Sequence, residues 1–400
     1  MQQLKSMHER IIAQHKNSKE RYLTNKIDWT FKAICIFGAR GTGKTTLLVQ
    51  RYKKAYKTSE KALYISADNI VVTSKGLLNI AQEYFALGGE ALFIDEVHKY
   101  PNWSIEVKNI IDLYPDKKII ISGSSSIDLE KGKGDLSRRV LYYELKGLSF
   151  REFISFETGI SFPALSLAEI EKNHHKIALS MIEKLPLLKY FKQYLLYGYY
   201  PYYIENRDAL PSLLLNVIEK VVYEDIAVVK NISQPKLPAL KKLIWIIASS
   251  KPFTPNLDRI SKELNISREY VYLFMEYLEK AGVFLQIKKS GSPLVRARKP
   301  EKLYINNTSL LVATAGLSGI EAEIGTIRET FFANQVGVEH SITIPKKGDF
   351  MVDNTFTYEI GGKNKTKQQI ATIKNSFVVA DDIEMGFGTT IPLYLFGFLY

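Results

Sequence analysis

The sequence of 400 residues contains a single cysteine, Cys35. One cysteine excludes a disulfide within the chain and a metal site built from several cysteines of one chain. Such low cysteine usage is typical of proteins in a reducing compartment, so we predict a cytoplasmic location. Because Cys35 lies within an apolar segment, we expect it to be a small buried core residue.

Long apolar runs, internal repeats and low-complexity segments are also missing. Residues 1–16 are polar and lack the apolar core of a secretory signal. The longest apolar run near the end, residues 391–400, is far too short to span a bilayer. We therefore expect no membrane partner.

Basic residues outnumber acidic ones, with 54 Lys and Arg against 42 Asp and Glu and a formal net charge of +12. This excess favours an acidic partner such as double-stranded DNA, although many basic proteins bind no polyanion. The hydrophobic fraction of 46% is ample for packed cores, and the length predicts roughly two to four domains.

The segment Gly38–Thr45 matches the phosphate-binding pattern G-x-x-x-x-G-K-[ST]. An apolar run, Ala33–Phe37, precedes it and a helix-like run, Thr46–Gln50, follows, which is the context that the motif requires. We expect Lys44 to contact the β- and γ-phosphates of ATP and the Thr45 hydroxyl to bind Mg²⁺. The predicted nucleotide-binding residues are Gly38, Gly41, Thr42, Gly43, Lys44, Thr45 and Thr46.

A second apolar run, Ala91–Ile94, ends in the acidic pair Asp95-Glu96. Acids delivered at the end of a buried strand predict that Asp95 holds Mg²⁺. Glu96 would orient and deprotonate the attacking water, which favours ATP hydrolysis over simple binding. Taken alone, the same pattern also fits a strand that ends in a solvated acidic turn.

Two further positions are candidates for sensing the γ-phosphate. An apolar strand, Lys118–Ser122, runs into serines, and either Ser124 or Ser125 is the candidate sensor; a turn that caps the next helix is the alternative. Arg139 precedes another apolar run and is a candidate arginine finger, acting in cis or in trans. The alternative for Arg139 is a solvated charged turn.

Alternating strands and helices over residues 26–150 predict a parallel sheet covered on both faces. The fold class is therefore α/β, with a P-loop NTPase domain followed by helical, winged-helix and nuclease-like α/β parts. The predicted domains are an N-terminal helix over 1–25, a P-loop ATPase domain over 26–150, a helical region over 151–234, a winged-helix domain over 235–299 and a nuclease-like domain over 300–400. The predicted strands are Ala33–Phe37, Ala62–Ser66, Ala91–Ile94, Lys118–Ser122 and Leu141–Leu145.

In the helical region, Ser212 is a candidate cap for a helix over Leu213–Val229. The aromatic cluster Tyr197–Tyr203 fits a turn packed between helices better than a platform for stacked bases.

Residues 257–287 show a helix-turn-helix pattern followed by a strand. Leu257–Leu264 is a short amphipathic helix, and Ser267 caps a second helix. If this region binds DNA, residues near the start of the second helix would enter a groove and the basic residues of the wing would contact phosphates; packing or protein contact is the alternative. The candidates are Arg268, Tyr270 and Tyr272 for the groove and Lys288, Lys289, Arg296 and Arg298 for phosphates.

Two predicted strands near the end, Gly348–Val352 and Phe356–Ile360, are followed by a predicted helix from about Lys367. Asp349 and Glu359 stand where many nucleases hold Mg²⁺. The lysine expected two residues after Glu359 is Gly361, and Lys363 comes two residues later. We therefore favour an inert nuclease-like scaffold over an active nuclease.

Taken together, these motifs resemble a family of bacterial and archaeal AAA-type ATPases with a C-terminal domain of unknown function that has a nuclease-like fold. The resemblance rests on Gly38–Thr46, Phe93–Lys99, Ile121–Ser126 and Leu148–Phe153, and on two C-terminal motifs, Tyr197–Pro201 and Glu359–Lys363. It covers nearly the whole chain. It implies phosphate binding by the P-loop, Mg²⁺ at Asp95, catalysis by Glu96, and sensor or finger roles near Ser124 and at Arg139. Asn307 stands where this family often has an acid, which weakens a C-terminal metal site.

We therefore expect a Mg²⁺-dependent, ATP-hydrolysing molecular switch whose candidate partners are DNA, another protein and further copies of this chain. The alternatives are a nucleotide-gated DNA-binding module with little turnover and an ATP-regulated nuclease. A small-molecule kinase is disfavoured by the Asp95-Glu96 pair and by the large C-terminal half.

Overall fold

The computed structural model describes residues 1–15, 19–124, 134, 136–227, 232–250, 255–291, 300–317 and 319–400. The chain divides into two compact units, Met1–Gly147 and Leu148–Tyr400. The predicted Ser125, Arg296 and Arg298 lie outside the described residues. No helix among the described ranges is long and apolar enough to cross a membrane.

The first unit is built on a parallel sheet of five strands in the order β2-β3-β4-β1-β5. All five predicted strands are confirmed, within one residue at their ends. β4 pairs with both β1 and β3, so it is the additional central strand that separates the P-loop strand from the acidic strand. The strands are β1 Ala33–Phe37, β2 Ala62–Ser66, β3 Ala91–Asp95, β4 Lys118–Gly123 and β5 Leu141–Glu144.

Helices cover both faces of this sheet. Because successive side chains of a strand point to opposite faces, Ile34 and Ile36 pack with Leu48 on one face, whereas the fully buried Cys35 joins the core on the other. The prediction of a buried cysteine is confirmed. The helices are α1 Gln2–Gln14, α2 Lys44–Ala55, α3 Ile70–Lys75, α4 Leu77–Ala86 and α5 Trp103–Leu113, with 3₁₀ turns at Tyr22–Asn25 and Val97–Lys99.

The second unit combines helices with a mixed sheet of seven strands in the order β12-β11-β10-β9-β8-β6-β7. Its strands are β6 Phe284–Lys289, β7 Lys302–Ile305, β8 Ile342–Ile344, β9 Phe350–Val352, β10 Phe356–Gly361, β11 Ser376–Ala380 and β12 Thr390–Pro392. β6 pairs antiparallel with β7 and parallel with β8, so one sheet runs across the predicted boundary at residue 300.

The helices described in the second unit precede and interrupt this sheet. They are α6 Phe150–Thr158, α7 Leu167–Ile182, α8 Leu187–Tyr197, α9 Leu210–Lys220, α10 Leu237–Ala248, α11 Leu257–Leu264, α12 Arg268–Lys280, α13 Thr308–Leu317 and α14 Ile324–Val336. A π-helix, Val221–Ile226, continues α9, and 3₁₀ turns lie at Pro201–Ile204, Gln234–Lys236, Gln368–Ile370 and Leu393–Phe398.

Two local predictions for the second unit are wrong. Ser212 is not a cap, because α9 begins at Leu210 and has Pro211 in its first turn, a position that proline favours. The helix predicted from Lys367 is only a 3₁₀ turn. Ile370 is the one buried residue between residues 366 and 375, so no apolar stripe is present to hold a longer helix against the core.

The aromatic cluster is confirmed as packing. Tyr199, Tyr200 and Tyr203 are all at most 3% exposed, so these rings cannot stack on bases. The hydroxyl of Tyr200 accepts a hydrogen bond from Nδ2 of Asn307 at 3.1 Å. Asn307 therefore helps to hold this buried cluster.

Candidate nucleotide-binding site

The P-loop connects β1 to α2 and depends on glycine for its conformation. Gly41 and Gly43 have φ angles of +82° and +95°, a region that other residues enter only with strain. Gly43 directly precedes Lys44, the first residue of α2. The loop thus leads into the positive end of a helix, where an anion is stabilised.

The first glycine of the motif is packed against the segment that follows β5. A Cβ atom on Gly38 would lie 2.3 Å from the carbonyl oxygen of Leu145, so a side chain cannot fit without moving the backbone. The Leu145 N–H in turn donates to the Phe37 carbonyl at 2.7 Å. The position of the P-loop is therefore tied to the backbone that leaves β5.

The Lys44 ammonium group lies within the loop itself. Its Nζ atom donates to the carbonyls of Gly38 and Ala39, each at 3.0 Å, and the residue is only 5% exposed. The Thr42 hydroxyl also donates to the Ala39 carbonyl, at 2.9 Å. These contacts concentrate one positive charge inside the loop, which is what a site for phosphate requires.

Asp95, at the end of β3, is the carboxylate around which the site is organised. It is 2% exposed, and its Oδ2 atom accepts hydrogen bonds from the hydroxyls of Thr45 at 2.6 Å and Tyr64 at 2.7 Å. Its Oδ1 atom accepts from the Ser122 hydroxyl. Because parallel strands end at one edge of a sheet, β2, β3 and β4 bring these groups to the start of α2.

Tyr64 stays protonated in this arrangement. Burial, reinforced by the charge of Asp95, raises the pKa of the Tyr64 hydroxyl far above its usual range. Tyr64 and Ser122 were not predicted as site residues. The signal available in the sequence was weak, since each is a polar residue near the end of an apolar strand.

Glu96 follows Asp95 with a left-handed backbone, at φ +55°. Its N–H donates to Asp95 Oδ1 at 3.1 Å, and its Oε2 atom lies 3.6 Å from both Nε2 of His98 and Nζ of Lys99. Burial raises the pKa of the Glu96 carboxyl, while the charge of Lys44 opposes that shift. Glu96 is therefore a carboxylate of increased basicity directly beside Asp95.

Ser124 lies just beyond β4 and is 1% exposed. Its hydroxyl is 2.8 Å from Nε2 of His98, the imidazole that also neighbours Glu96. The structure thus brings Ser124 to the same edge of the sheet as Asp95 and Glu96. His98 was not predicted, although it stands two residues after the acidic pair.

Arg139 lies at the edge of the sheet opposite to the P-loop. It precedes β5, and parallel strands begin at the edge of the sheet opposite to the P-loop. Its guanidinium forms a two-pronged ion pair with Asp112 near the end of α5, with N···O distances of 2.6 and 3.0 Å. The structure does not bring Arg139 to the P-loop of its own chain, so a finger role is left to action in trans.

In the second unit, the predicted carboxylates lie beside lysines. Lys302 Nζ is 2.8 Å from Glu329 Oε2 and 3.5 Å from Asp349 Oδ1. The Tyr304 hydroxyl also donates to Glu329, whose pKa is raised by burial. The sequence interpretation missed Lys302, Tyr304 and Glu329, because they lie on different elements from the paired strands.

Glu359 is buried in β10 and pairs with Lys365 rather than with Lys363, at a distance of 2.6 Å between Oε1 and Nζ. A Cβ atom at Gly361, where a lysine was expected, would lie 2.6 Å from Cδ of Lys365, so the Lys365 side chain occupies that space. Burial raises the pKa of Glu359. Within the described ranges, no group of three or more His, Cys, Asp or Glu side chains is arranged to hold a metal ion.

The two predicted helices, α11 and α12, and the turn between them are present. Asn265 ends α11 with a left-handed φ of +51°, and the Ser267 side chain caps α12 by accepting from the Tyr270 N–H. Arg268 is 70% exposed and pairs with Asp258, whereas Tyr270 lies under Nζ of Lys236 at 3.4 Å from the ring centroid. Tyr272 is 38% exposed, and Lys289 lies 3.9 Å from Glu301.

Comparison with known families agrees with the geometry of the first unit. A family model described as an AAA domain matches residues 30–154, and a model described as a domain of unknown function (DUF8612) matches residues 188–321. The chain therefore contains one region that matches an AAA domain and a later region that matches a domain of unknown function.

Two proteins of Methanocaldococcus jannaschii are similar along the sequence. The uncharacterized protein MJ1637 is 24% identical over 424 residues, which covers 94% of this chain and 88% of that protein. The uncharacterized protein MJ1544 is 27% identical over 266 residues, which covers 62% of this chain and about half, 55%, of that protein.

Solved structures with low overall similarity include two AAA-type proteins. AMPPCP-bound DnaA from Aquifex aeolicus has 17% identity and a TM-score of 0.27, covering 69% of this chain and 88% of that chain. The Aeropyrum pernix ORC1 protein in complex with DNA has 13% identity and a TM-score of 0.30, covering 74% of this chain and 88% of that chain.

Proposed function

We propose that this protein is a Mg²⁺-dependent ATPase that works as a molecular switch. The observation that carries the proposal is the hydrogen bond of 2.6 Å between Thr45 and Asp95. It joins the helix that follows the phosphate loop to the strand that carries the acidic pair. A nucleotide held by the loop would then lie directly beside Glu96.

The residues present fit a magnesium ion. Thr45 Oγ1 and Asp95 Oδ2 are hard oxygen donors, and Mg²⁺ in nucleotide sites takes most of its other ligands from phosphate and water. A cluster of three protein carboxylates is therefore not expected. When bound, Mg²⁺ neutralises charge that develops on the phosphate oxygens.

Lys44 and Glu96 have the properties that hydrolysis needs. We propose that the Lys44 ammonium, now held by loop carbonyls, moves to the β- and γ-phosphates and stabilises their charge. Glu96 takes the proton of the attacking water, a role that its raised pKa favours. The pair Ser124 and His98 is proposed to report the γ-phosphate to Glu96, because the imidazole contacts both residues.

This proposal is tested first by nucleotide binding. A fluorescent ATP analogue is titrated into wild type and Lys44→Ala, with Mg²⁺ and with EDTA. We expect saturable binding by wild type that Mg²⁺ strengthens and Lys44→Ala weakens by at least about tenfold. Nucleotide binding that changes neither with Mg²⁺ nor with Lys44→Ala would contradict binding by the P-loop.

A nucleotide-gated DNA-binding module is the second candidate, and the capped helix-turn-helix favours it. Duplex DNA would meet the start of α12, where Arg268 is exposed. Binding by Arg268 and neighbouring lysines would weaken steeply with salt. A filter-binding assay at several salt concentrations compares Arg268→Ala with Arg10→Ala, an exposed arginine of the first unit that serves as control. It distinguishes this contact from non-specific attraction to a basic protein.

An ATP-regulated nuclease is the third candidate. Gly361 stands where the lysine of an active nuclease is expected, so we expect no Mg²⁺-dependent cleavage. Nicking of supercoiled DNA that disappears in Glu359→Ala would establish the nuclease instead. For the ATPase we also propose a cytoplasmic location and a protein partner. We further propose a homo-oligomer in which Arg139 acts in trans.

A further inference from the structure

Arg21 contacts the P-loop, although it belongs to none of the sequence motifs described above. It immediately precedes the 3₁₀ turn Tyr22–Asn25, and it is only 4% exposed. Its Nη1 atom donates a hydrogen bond of 2.6 Å to the carbonyl oxygen of Thr42. A buried guanidinium needs such partners, because an uncompensated charge is costly to remove from water.

The same guanidinium also binds the backbone that leaves β5. Its Nη2 atom donates to the carbonyls of Lys146 at 2.8 Å and Gly147 at 2.9 Å. Gly147 is the last residue of the first unit. One rigid planar side chain therefore holds the P-loop and the exit segment, residues 145–147, together.

The contact with Thr42 also orients a donor in the phosphate loop. The peptide between Thr42 and Gly43 is planar and trans, so the Gly43 N–H points opposite to the Thr42 carbonyl. Holding that carbonyl on Arg21 directs the Gly43 N–H away from Arg21. In a P-loop, such N–H groups are the donors that cradle phosphate.

We infer that Arg21 is a positioning residue with two effects. It presets the Gly43 N–H for a phosphate oxygen, and it transmits a movement of this peptide to the exit segment. The packing of Gly38 against Leu145 gives the two segments a second direct contact. The inference rests on the proposed nucleotide binding, and it does not depend on hydrolysis.

Nucleotide affinity tests the first effect. Arg21→Met keeps the length of the side chain and removes its donors, Arg21→Lys keeps a charge and fewer donors, and the exposed Arg10→Met is the matched control. For the fluorescent ATP analogue we expect weakening of about tenfold or more in Arg21→Met, an intermediate Kd in Arg21→Lys, and no change in Arg10→Met. A lowered Tm in Arg21→Met and Arg21→Lys with an unchanged Kd would show a structural role only and would overturn the inference.

Hydrogen exchange tests the second effect. In wild type, saturating ATP should change exchange in peptides that cover the P-loop and in peptides that cover residues 145–147. In Arg21→Lys at saturating ATP, the P-loop should still respond, whereas the exit segment should respond less. Equal responses of the exit segment would overturn the coupling. If wild type binds no nucleotide, both this inference and the proposed function are overturned. If the Kd values follow the expected order but wild type hydrolyses no ATP, only the proposed hydrolysis is overturned.

Discussion

Thr45 and Asp95 are 50 positions apart in sequence, and a hydrogen bond of 2.6 Å joins the hydroxyl of one to the carboxylate of the other. The bond forms because β1 and β3 run parallel and end at the same edge of the sheet. It places two oxygen atoms side by side at the position where the proposed function requires Mg²⁺.

Removing the Thr45 hydroxyl should weaken metal-dependent nucleotide binding. Thr45→Val keeps the shape of the side chain but loses the oxygen, whereas Thr45→Ser keeps the oxygen. We expect Thr45→Val to weaken ATP binding about tenfold in the presence of Mg²⁺ and little in EDTA. Thr45→Ser should resemble wild type. Equal losses with and without Mg²⁺ would show that Thr45 acts through folding and not through the metal.

Removing the Tyr64 hydroxyl should destabilise the protein. Tyr64→Phe leaves the buried Asp95 carboxylate with one donor fewer, a loss of about 1 to 3 kcal/mol in the free energy of unfolding. Urea unfolding measures it. Tyr114→Phe is the control, since Tyr114 contributes a ring contact with Phe85. Identical midpoints for Tyr64→Phe and wild type would contradict the proposed organisation around Asp95.

The ion pair of Arg139 predicts a mild phenotype. Arg139 and Asp112 are both substantially exposed, so water screens their attraction and the ion pair contributes little to the free energy of unfolding. We expect Arg139→Ala to keep ATP turnover within about twofold at low protein concentration. Asp112→Ala, which removes this ion-pair partner of Arg139, is the companion variant. A large loss of ATP turnover in Arg139→Ala that appears only at protein concentrations where copies of this chain associate would establish an arginine finger acting in trans.

His8 should make the stability of the protein depend on pH. It is buried against Tyr52, and its Nδ1 atom accepts from the Tyr64 N–H at 2.8 Å, which requires a neutral ring. Burial lowers the pKa of His8 from 6.5 to about 4. Between pH 4 and pH 6.5 the imidazole of His8 is protonated in the unfolded chain and neutral in the folded chain. The contribution of His8 to the free energy of unfolding is therefore complete above pH 6.5 and is lost as the pH falls to about 4.

Thermal unfolding from pH 7 to pH 4 checks this prediction. His8→Gln keeps an acceptor without a titrating ring, so its Tm should fall less steeply than that of wild type across this range. The exposed His175 lies in the second unit, and His175→Gln is the control that should leave the slope unchanged. Parallel curves for His8→Gln and wild type would exclude His8 as the cause.

Strands β1 to β4 could be predicted because each contains a continuous apolar run, as strands covered on both faces require. The edge strand β5 has no buried residue, and its signal was the short run Leu141–Tyr143. The second helix of the helix-turn-helix could be placed because Ser267 caps its start. The direction of parallel strands also argues against Arg139 in cis, since it precedes β5 and the P-loop follows β1.

The contacts of Arg21, Tyr64 and Ser122 could not be predicted. Their residue types are ordinary, their partners are distant in sequence, and only the order of the strands brings them to the site. Lys365 was missed for a related reason. The turn after β10 lets a more distant lysine reach Glu359, and a fixed spacing from Glu359 predicts only positions 361 and 363.

Turnover of ATP by wild type, Lys44→Ala and Glu96→Gln, each with and without duplex DNA, tests the central claim most directly. Phosphate release is measured with Mg²⁺ in excess. We expect turnover by wild type and losses of at least about a hundredfold in both variants, with Glu96→Gln still binding ATP. Wild type that binds ATP but releases no phosphate under either condition would contradict the ATPase and leave a nucleotide-sensing binding module.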